Sequence, residues 1–233
     1  MENTKQFKIT TPVAIVIAGF LVMVGIILTN NMGGSGVTKE KTLSEQVGVS
    51  KEKFAACVEA VDSESLADKI QTSVESAMKA VPADQRGTPY SVIVGSNGVK
   101  TEIRGAESYE SIEKAISEVL SGTVATKYEG EIPPVDATDH VWGNSTAQVT
   151  IIEYSDFECP YCKSFHTTLK KVVDNSAGNV NWVYRHWPIH QNSFEKLVAA
   201  ECIAQIKGND AFWKYTDLLF GLLKTSADPV TNL

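Results

Sequence analysis

The sequence predicts an α/β fold, and three stretches predict it. A β-branched run, Val149-Thr150-Ile151-Ile152, leads through Cys159-Pro160-Tyr161-Cys162 into a helical pattern carried by Phe165, Leu169, Val172 and Val173. Two β-compatible runs, Tyr90–Val94 and Val99–Ile103, flank Asn97-Gly98, a strong hairpin signal, and an amphipathic helix follows them. A further strand, Asn181–His186, precedes two more helical patterns. Strands and helices are interspersed and no internal repeat is present, which points to a mixed sheet covered by helices.

The first stretch carries the chemistry. Side chains three apart on a helix are neighbours, so Cys159 and Cys162 can close a small disulfide ring with little distortion. Pro160 suits a first helical position, where its missing N–H leaves nothing unsatisfied. Cys159 then sits where free backbone N–H groups and the helix dipole favour a thiolate. Thiol–disulfide exchange follows as the leading chemistry. Half of a zinc site also reads C-x-x-C, but no second pair stands at ligand spacing: Cys57 and Cys202 are isolated, and His186 and His190 have no matching partners. No metal site and no cofactor are predicted. A purely structural disulfide is the other alternative.

The remaining elements follow in order. Leu43 and Val47 form a short helical face stopped by Gly48, and Ser50 caps a helix carrying Phe54, Cys57, Val58 and Val61. Leu66, Ile70, Val74, Ala77 and Met78 continue at helical spacing. After the hairpin, Tyr109, Ile112, Ile116, Val119 and Leu120 mark a helix capped by Ser108 and stopped by Gly122. Residues 123–139, with Pro133-Pro134, read as a linker, and Val141-Trp142 as a short edge strand. Phe194, Leu197, Val198, Cys202 and Ile206 make one late helix and Phe212 to Leu223 another, separated by Gly208-Asn209-Asp210; Thr225 to Leu233 carry no pattern.

The chain has 233 residues, 43% of them hydrophobic, enough for one domain with a real core. A net charge of −7 argues against nucleic acid as a partner, since phosphate binding wants a basic face. From Ile9 to Thr38 there is no charged residue, and Pro12 to Leu28 is apolar apart from two glycines. With the flanking threonines this reaches the roughly 30 Å of a hydrocarbon core. Lys5 and Lys8 precede it, which places residues 1–32 as a cytoplasmic N-terminus with a membrane anchor at about 12–29 and the rest of the chain outside. A cleaved signal peptide is the rival, but Thr29-Asn30-Asn31-Met32 offers no small-x-small cleavage site. Residues 33–37, Gly-Gly-Ser-Gly-Val, are a flexible linker, natural or engineered. In either reading the cysteines face an oxidising compartment.

From about Thr38 onward the chain resembles the DsbA-like thiol–disulfide oxidoreductases, a thioredoxin fold with an inserted helical region. The resemblance rests on Val149–Tyr154 leading into Cys159-Pro160-Tyr161-Cys162, on Tyr184-Arg185-His186-Trp187-Pro188, on Ala199-Ala200-Glu201-Cys202, on Phe212-Trp213-Lys214-Tyr215, and on Gly87-Thr88-Pro89. The order departs from the family. Residues 38–122 correspond to the family's later half, with part of the helical insert, the proline hairpin and the last helix, whereas residues 140–233 correspond to the redox half. Joining the two ends across the insert restores the family order, so the chain resembles a circular permutant, with 123–139 bridging the family's own termini. A misassembled sequence, or two halves that complement each other between chains, are the alternatives.

The resemblance implies roles. Cys159 is the nucleophile and the more exposed cysteine, and Cys162 the resolving thiol. Pro160 and Tyr161 shape the surroundings of the Cys159 sulfur. Tyrosine is less electropositive there than histidine, which implies a less oxidising couple than the strongest family members. Thr88 and Pro89 correspond to the cis-proline segment that binds substrate backbone. Glu153, six residues before Cys159, matches the buried acid of thioredoxin folds and would relay the Cys162 proton; an exposed strand-end carboxylate is the alternative. His166 reads as a solvated or packing residue. Cys57 and Cys202 both fall in the insert, where a structural disulfide and two buried free thiols are both open. The implied partners are reduced or unfolded exported proteins and a membrane or soluble redox partner that recycles the cysteines. A metal-binding chaperone using the CxxC and an inactive thioredoxin-like binding module are the competing functions.

Overall fold

The computed structural model describes residues 41–60 and 64–223. The proposed anchor at 12–29, the Gly-Ser linker and the last ten residues lie outside them. No helix among the described residues is long and apolar enough to cross a membrane.

Three helices open the described chain: α1 (Leu43–Gln46), α2 (Lys51–Glu59) and α3 (Glu64–Ala80). Ser50 caps α2 by accepting from the Lys53 N–H. The hairpin follows as β1 (Tyr90–Gly95) and β2 (Lys100–Arg104), its turn made by Asn97, whose side chain accepts from the Val99 N–H, and by Gly98 at φ +80°. Helix α4 (Tyr109–Ser121) starts at the Ser108 cap and stops at Gly122, which takes the left-handed conformation that a side chain would strain. Then come β3 (His140–Gly143), β4 (Val149–Ser155), α5 (Pro160–Asn175), β5 (Val180–His186), α6 (Ser193–Lys207) and α7 (Asn209–Leu222). The break between α6 and α7 is narrower than the sequence implies. Gly208 alone makes it, at φ +85° and ψ −177°, and Asn209 already begins α7.

The strands form one sheet in the order β2-β1-β4-β5-β3. Only β4 and β5 run parallel; β1 pairs antiparallel with both β2 and β4, and β3 pairs antiparallel with β5. Alternation along β4 sends Val149 and Ile151 to one face and Ile152 and Tyr154 to the other. The first face packs with Ile112, Ile116 and Val119 of α4 and with Phe165, Leu169 and Val172 of α5. The second packs with Ala77, Ala80 and Val81 at the end of α3. A sheet covered on both faces explains why β5 is buried at every position.

The segment predicted as a bare linker is packed against this sheet. Tyr128 is buried, donating from its hydroxyl to the Ala80 carbonyl at 2.8 Å, and its N–H donates to the Lys100 carbonyl at 3.1 Å. Farther on, the buried Arg185 guanidinium grips Asp139 through two bonds of 2.9 Å and donates to the carbonyls of Pro133 and Pro134. The physical reason is Arg185 itself: a buried guanidinium must find acceptors, and a segment with two prolines offers free carbonyls.

Candidate active site

Position 153 continues the β4 alternation onto the face covered by α5, so Glu153 points under the N-terminus of that helix. Cys159 is the N-cap of α5 and Pro160 its first residue. Antiparallel pairing of β1 with β4 sets Tyr90 opposite Tyr154 and Ser91 opposite Glu153. That register carries the preceding Thr88-Pro89 segment to the cysteines, with a cis peptide bond between the two residues. As a thiol, Cys159 donates to the Thr88 carbonyl at 3.2 Å. Two segments about 70 residues apart in the chain thus meet at one sulfur.

Exposure is lower than expected at Cys159, the expected nucleophile. Cys159 keeps 3% of its surface and Cys162 none, so the two differ little; both are free thiols. Tyr161 is the opposite, 68% exposed between them, and Pro160 is exposed as well. The opening to the Cys159 sulfur is therefore small and flanked by apolar surface.

The electrostatics separate the two sulfurs. Cys159 falls to about 6, first because the Cys162 thiol donates to its sulfur; burial opposes this, and the Thr88 side chain and the N–H groups of Cys162 and Tyr161 support it. Cys162 is pushed well above the ordinary thiol range by burial, by giving its hydrogen to Cys159, and by the nearby Glu153 charge. Glu153 is fully buried, and neither carboxyl oxygen has a hydrogen-bond partner. Burial raises it to about 8, against a weaker opposite influence of Ser155 and Trp182. The site thus sets a thiol shifted toward its thiolate beside a partner thiol held toward its protonated form, over an acid whose burial favours the neutral carboxyl.

Sequence reasoning passed over Asp156. Its carboxylate is wholly buried and accepts from five donors: the Glu158 N–H at 2.8 Å, the Ile189 N–H at 2.8 Å, the His190 N–H at 3.0 Å, His190 Nδ1 at 2.8 Å, and the Ser193 hydroxyl. This clamps the loop before Cys159 to the loop after β5, which presents the half-exposed Ile189 beside it. Glu158 adds an ion pair to Lys196. An acid directly after a strand has no spacing signature; only burial with converging N–H groups reveals it. Of the two readings of His166, solvated or packing, the structure shows the packing one: it is buried against Trp182 and bonds Asp217 at 2.6 Å.

Cys57 and Cys202 are joined by a disulfide that ties α2 to α6 across 145 residues. Around it pack Ile70, Leu197 and Val198, with Phe54 and Phe194 at the margin.

Residues 136–226 match the family model described as Thioredoxin. The central β1-β4-β5 arrangement, with a CxxC at the start of the helix after β4, agrees with that match. The fold is thioredoxin-like. Among curated relatives, the chain is 39% identical over 87 residues to the Na(+)/H(+) antiporter NhaA 1 of Salinispora arenicola, a match covering 37% of this chain and 13% of the antiporter. It is 38% identical over 87 residues to NhaA 3 of Salinispora tropica, with the same shares. The chain thus spans only 13% of the length of these relatives. A solved structure, Pseudomonas aeruginosa DsbA2, is 35% identical, with 38% of this chain and 50% of that one covered, at a TM-score of 0.35.

Proposed function

We propose that this protein is a DsbA-like thiol–disulfide oxidoreductase that exchanges disulfides with other proteins through Cys159 and Cys162. One observation carries the reading: a cysteine with thiolate character at a helix N-terminus, in contact with the carbonyl before Pro89 and set above a buried acid. In the oxidising direction a substrate thiolate attacks Cys159 of the Cys159–Cys162 disulfide. The new bond joins substrate sulfur to Cys159, and Cys162 leaves as a thiolate that takes a proton from Glu153. A second substrate thiolate then attacks the substrate sulfur of the mixed disulfide, and Cys159 leaves as a thiolate. Two electrons pass from the substrate pair to the enzyme pair. In the reverse direction Cys159 attacks and Cys162 resolves.

The substrates in this reading are reduced or unfolded exported proteins, and a separate redox partner recycles the cysteines. The charge-free stretch from Ile9 to Thr38 supports a membrane tether with the domain on the outer side. The order of elements supports a circularly permuted domain: the Thr88-Pro89 hairpin precedes the redox strand in the chain yet pairs with it in the sheet. The Cys57–Cys202 bond ties the two halves to each other. The test is reactivation of reduced, unfolded ribonuclease in a glutathione buffer. The full chain should accelerate it, Cys159→Ala should abolish the acceleration, and Cys162→Ala should accumulate a mixed disulfide. Unchanged refolding with the native chain, although Cys159–Cys162 forms, overturns the reading in favour of a binding module.

A further inference from the structure

Two of the four histidines meet a buried glutamate on the side of the molecule where β3, β5 and α6 come together. His140 Nε2 lies 2.8 Å from Glu201 Oε1, and His186 Nε2 lies 3.0 Å from the same oxygen. All three side chains are buried, and their ligand atoms fall within 4.8 Å of one another. The His140 ring is stacked on Phe212 at 3.5 Å, which fixes its plane. A cation already completes the cluster: Lys69 Nζ donates to Glu201 Oε2 at 2.6 Å and stands 3.3 Å from His140 Nε2. Lys69 is the partly exposed member, and it borders a cavity of about 440 Å³ into which its chain can withdraw.

We propose that His140, His186 and Glu201 form a binding site for a divalent transition-metal ion such as Zn²⁺, which enters by displacing the Lys69 ammonium. Two imidazoles and one carboxylate are a donor set suited to zinc and its neighbours, with a fourth position left open. At metal–ligand bonds of about 2.0–2.1 Å, tetrahedral ligand atoms stand about 3.3 Å apart, so the two Glu201 contacts widen by a few tenths of an ångström and the two imidazole nitrogens, within 4.8 Å of each other, draw together by up to about 1.5 Å through rotation of His186. The fourth position faces the cavity. Exchange of one cation for another keeps the buried carboxylate compensated, and the imidazoles, neutral when metal-bound, shift their remaining hydrogen to Nδ1. The residues are too far apart in sequence to show metal-ligand spacing, and neither cysteine pair takes part.

The test uses the full chain carrying Cys159→Ser and Cys162→Ser, which removes the only free thiols among the described residues. Zn²⁺ is titrated against a chromophoric chelator. One equivalent should bind, Lys69→Met should tighten binding at least tenfold by removing the competing ammonium, and His140→Phe, which keeps the ring stacked on Phe212, should abolish it. Co²⁺ added to the Lys69→Met chain, with every ligand intact, should give the intense visible bands of a tetrahedral nitrogen/oxygen site. Binding that is unchanged in the Lys69→Met chain, binding that survives His140→Phe, or only weak octahedral Co²⁺ bands would each overturn the proposal.

Discussion

Glu153 and the two cysteines share one buried environment, and their opposed shifts give testable consequences. Cys159, lowered to about 6, should alkylate with iodoacetamide along a pH curve centred near 6, while Cys162 stays unreactive beyond the ordinary thiol range; peptide mass spectrometry on the reduced protein reads both. Glu153 has its folded value raised from 4.5 to about 8, so folding favours its protonated form. That stabilisation is complete below pH 4.5, declines as pH rises, and is gone above about 8, a loss on the order of 5 kcal/mol. Urea midpoints of the oxidised protein at pH 5 and pH 9 should therefore differ far more in the native chain than in Glu153→Gln. The same substitution should slow the resolving step on the order of 10²-fold, as loss of an acid–base group does, measured by stopped flow. A Glu153→Gln chain with an unchanged pH profile would place the acid outside the proton path.

At the scale of elements, β1 and the 128–139 segment decide most. β1 brings Thr88 to Cys159 because its register with β4 is fixed over six residue pairs, Tyr90 to Gly95. The 128–139 segment is held by Arg185, whose partner Asp139 is itself 9% exposed at the side chain. Arg185→Leu should cost about 3–5 kcal/mol, since it strands a buried carboxylate. Pairing it with Asp139→Leu should restore much of that stability. Denaturant unfolding gives the energies, and faster hydrogen exchange at 128–139 in the single variant would localise the effect. If the single and double variants lose stability equally, the ion pair is not what holds the segment. The sequence shows this segment as proline-rich and aperiodic; its docking is invisible there because the anchor, Arg185, lies on a distant strand.

For the molecule as a whole, the disulfide is the long-range tie. It closes a loop of 145 residues between α2 and α6. In the chain-entropy picture that contributes roughly 3–5 kcal/mol, and a domain of this size should lose about 10 °C in melting temperature on Cys57→Ala/Cys202→Ala. Calorimetry of the double variant beside the native chain checks it, and a loss below 2 °C would mean that the helical layer of Ile70, Leu197 and Val198 holds without the bond.

The sequence by itself determined the local pieces: the strand–turn–helix at 149–175, the Asn97-Gly98 hairpin, the caps at Ser50, Ser108 and Gly122, and the placing of two cysteines three residues apart at a helix start. These follow from periodicity, turn chemistry and capping, which act over a few residues. Tertiary structure alone decided what lies far apart in the chain. It gave Asp156 its five donors, buried His166 on Asp217, and assembled His140, His186 and Glu201 around one point. Such groups have no shared period or spacing, so only burial, which forces each polar atom to find a partner, reveals them.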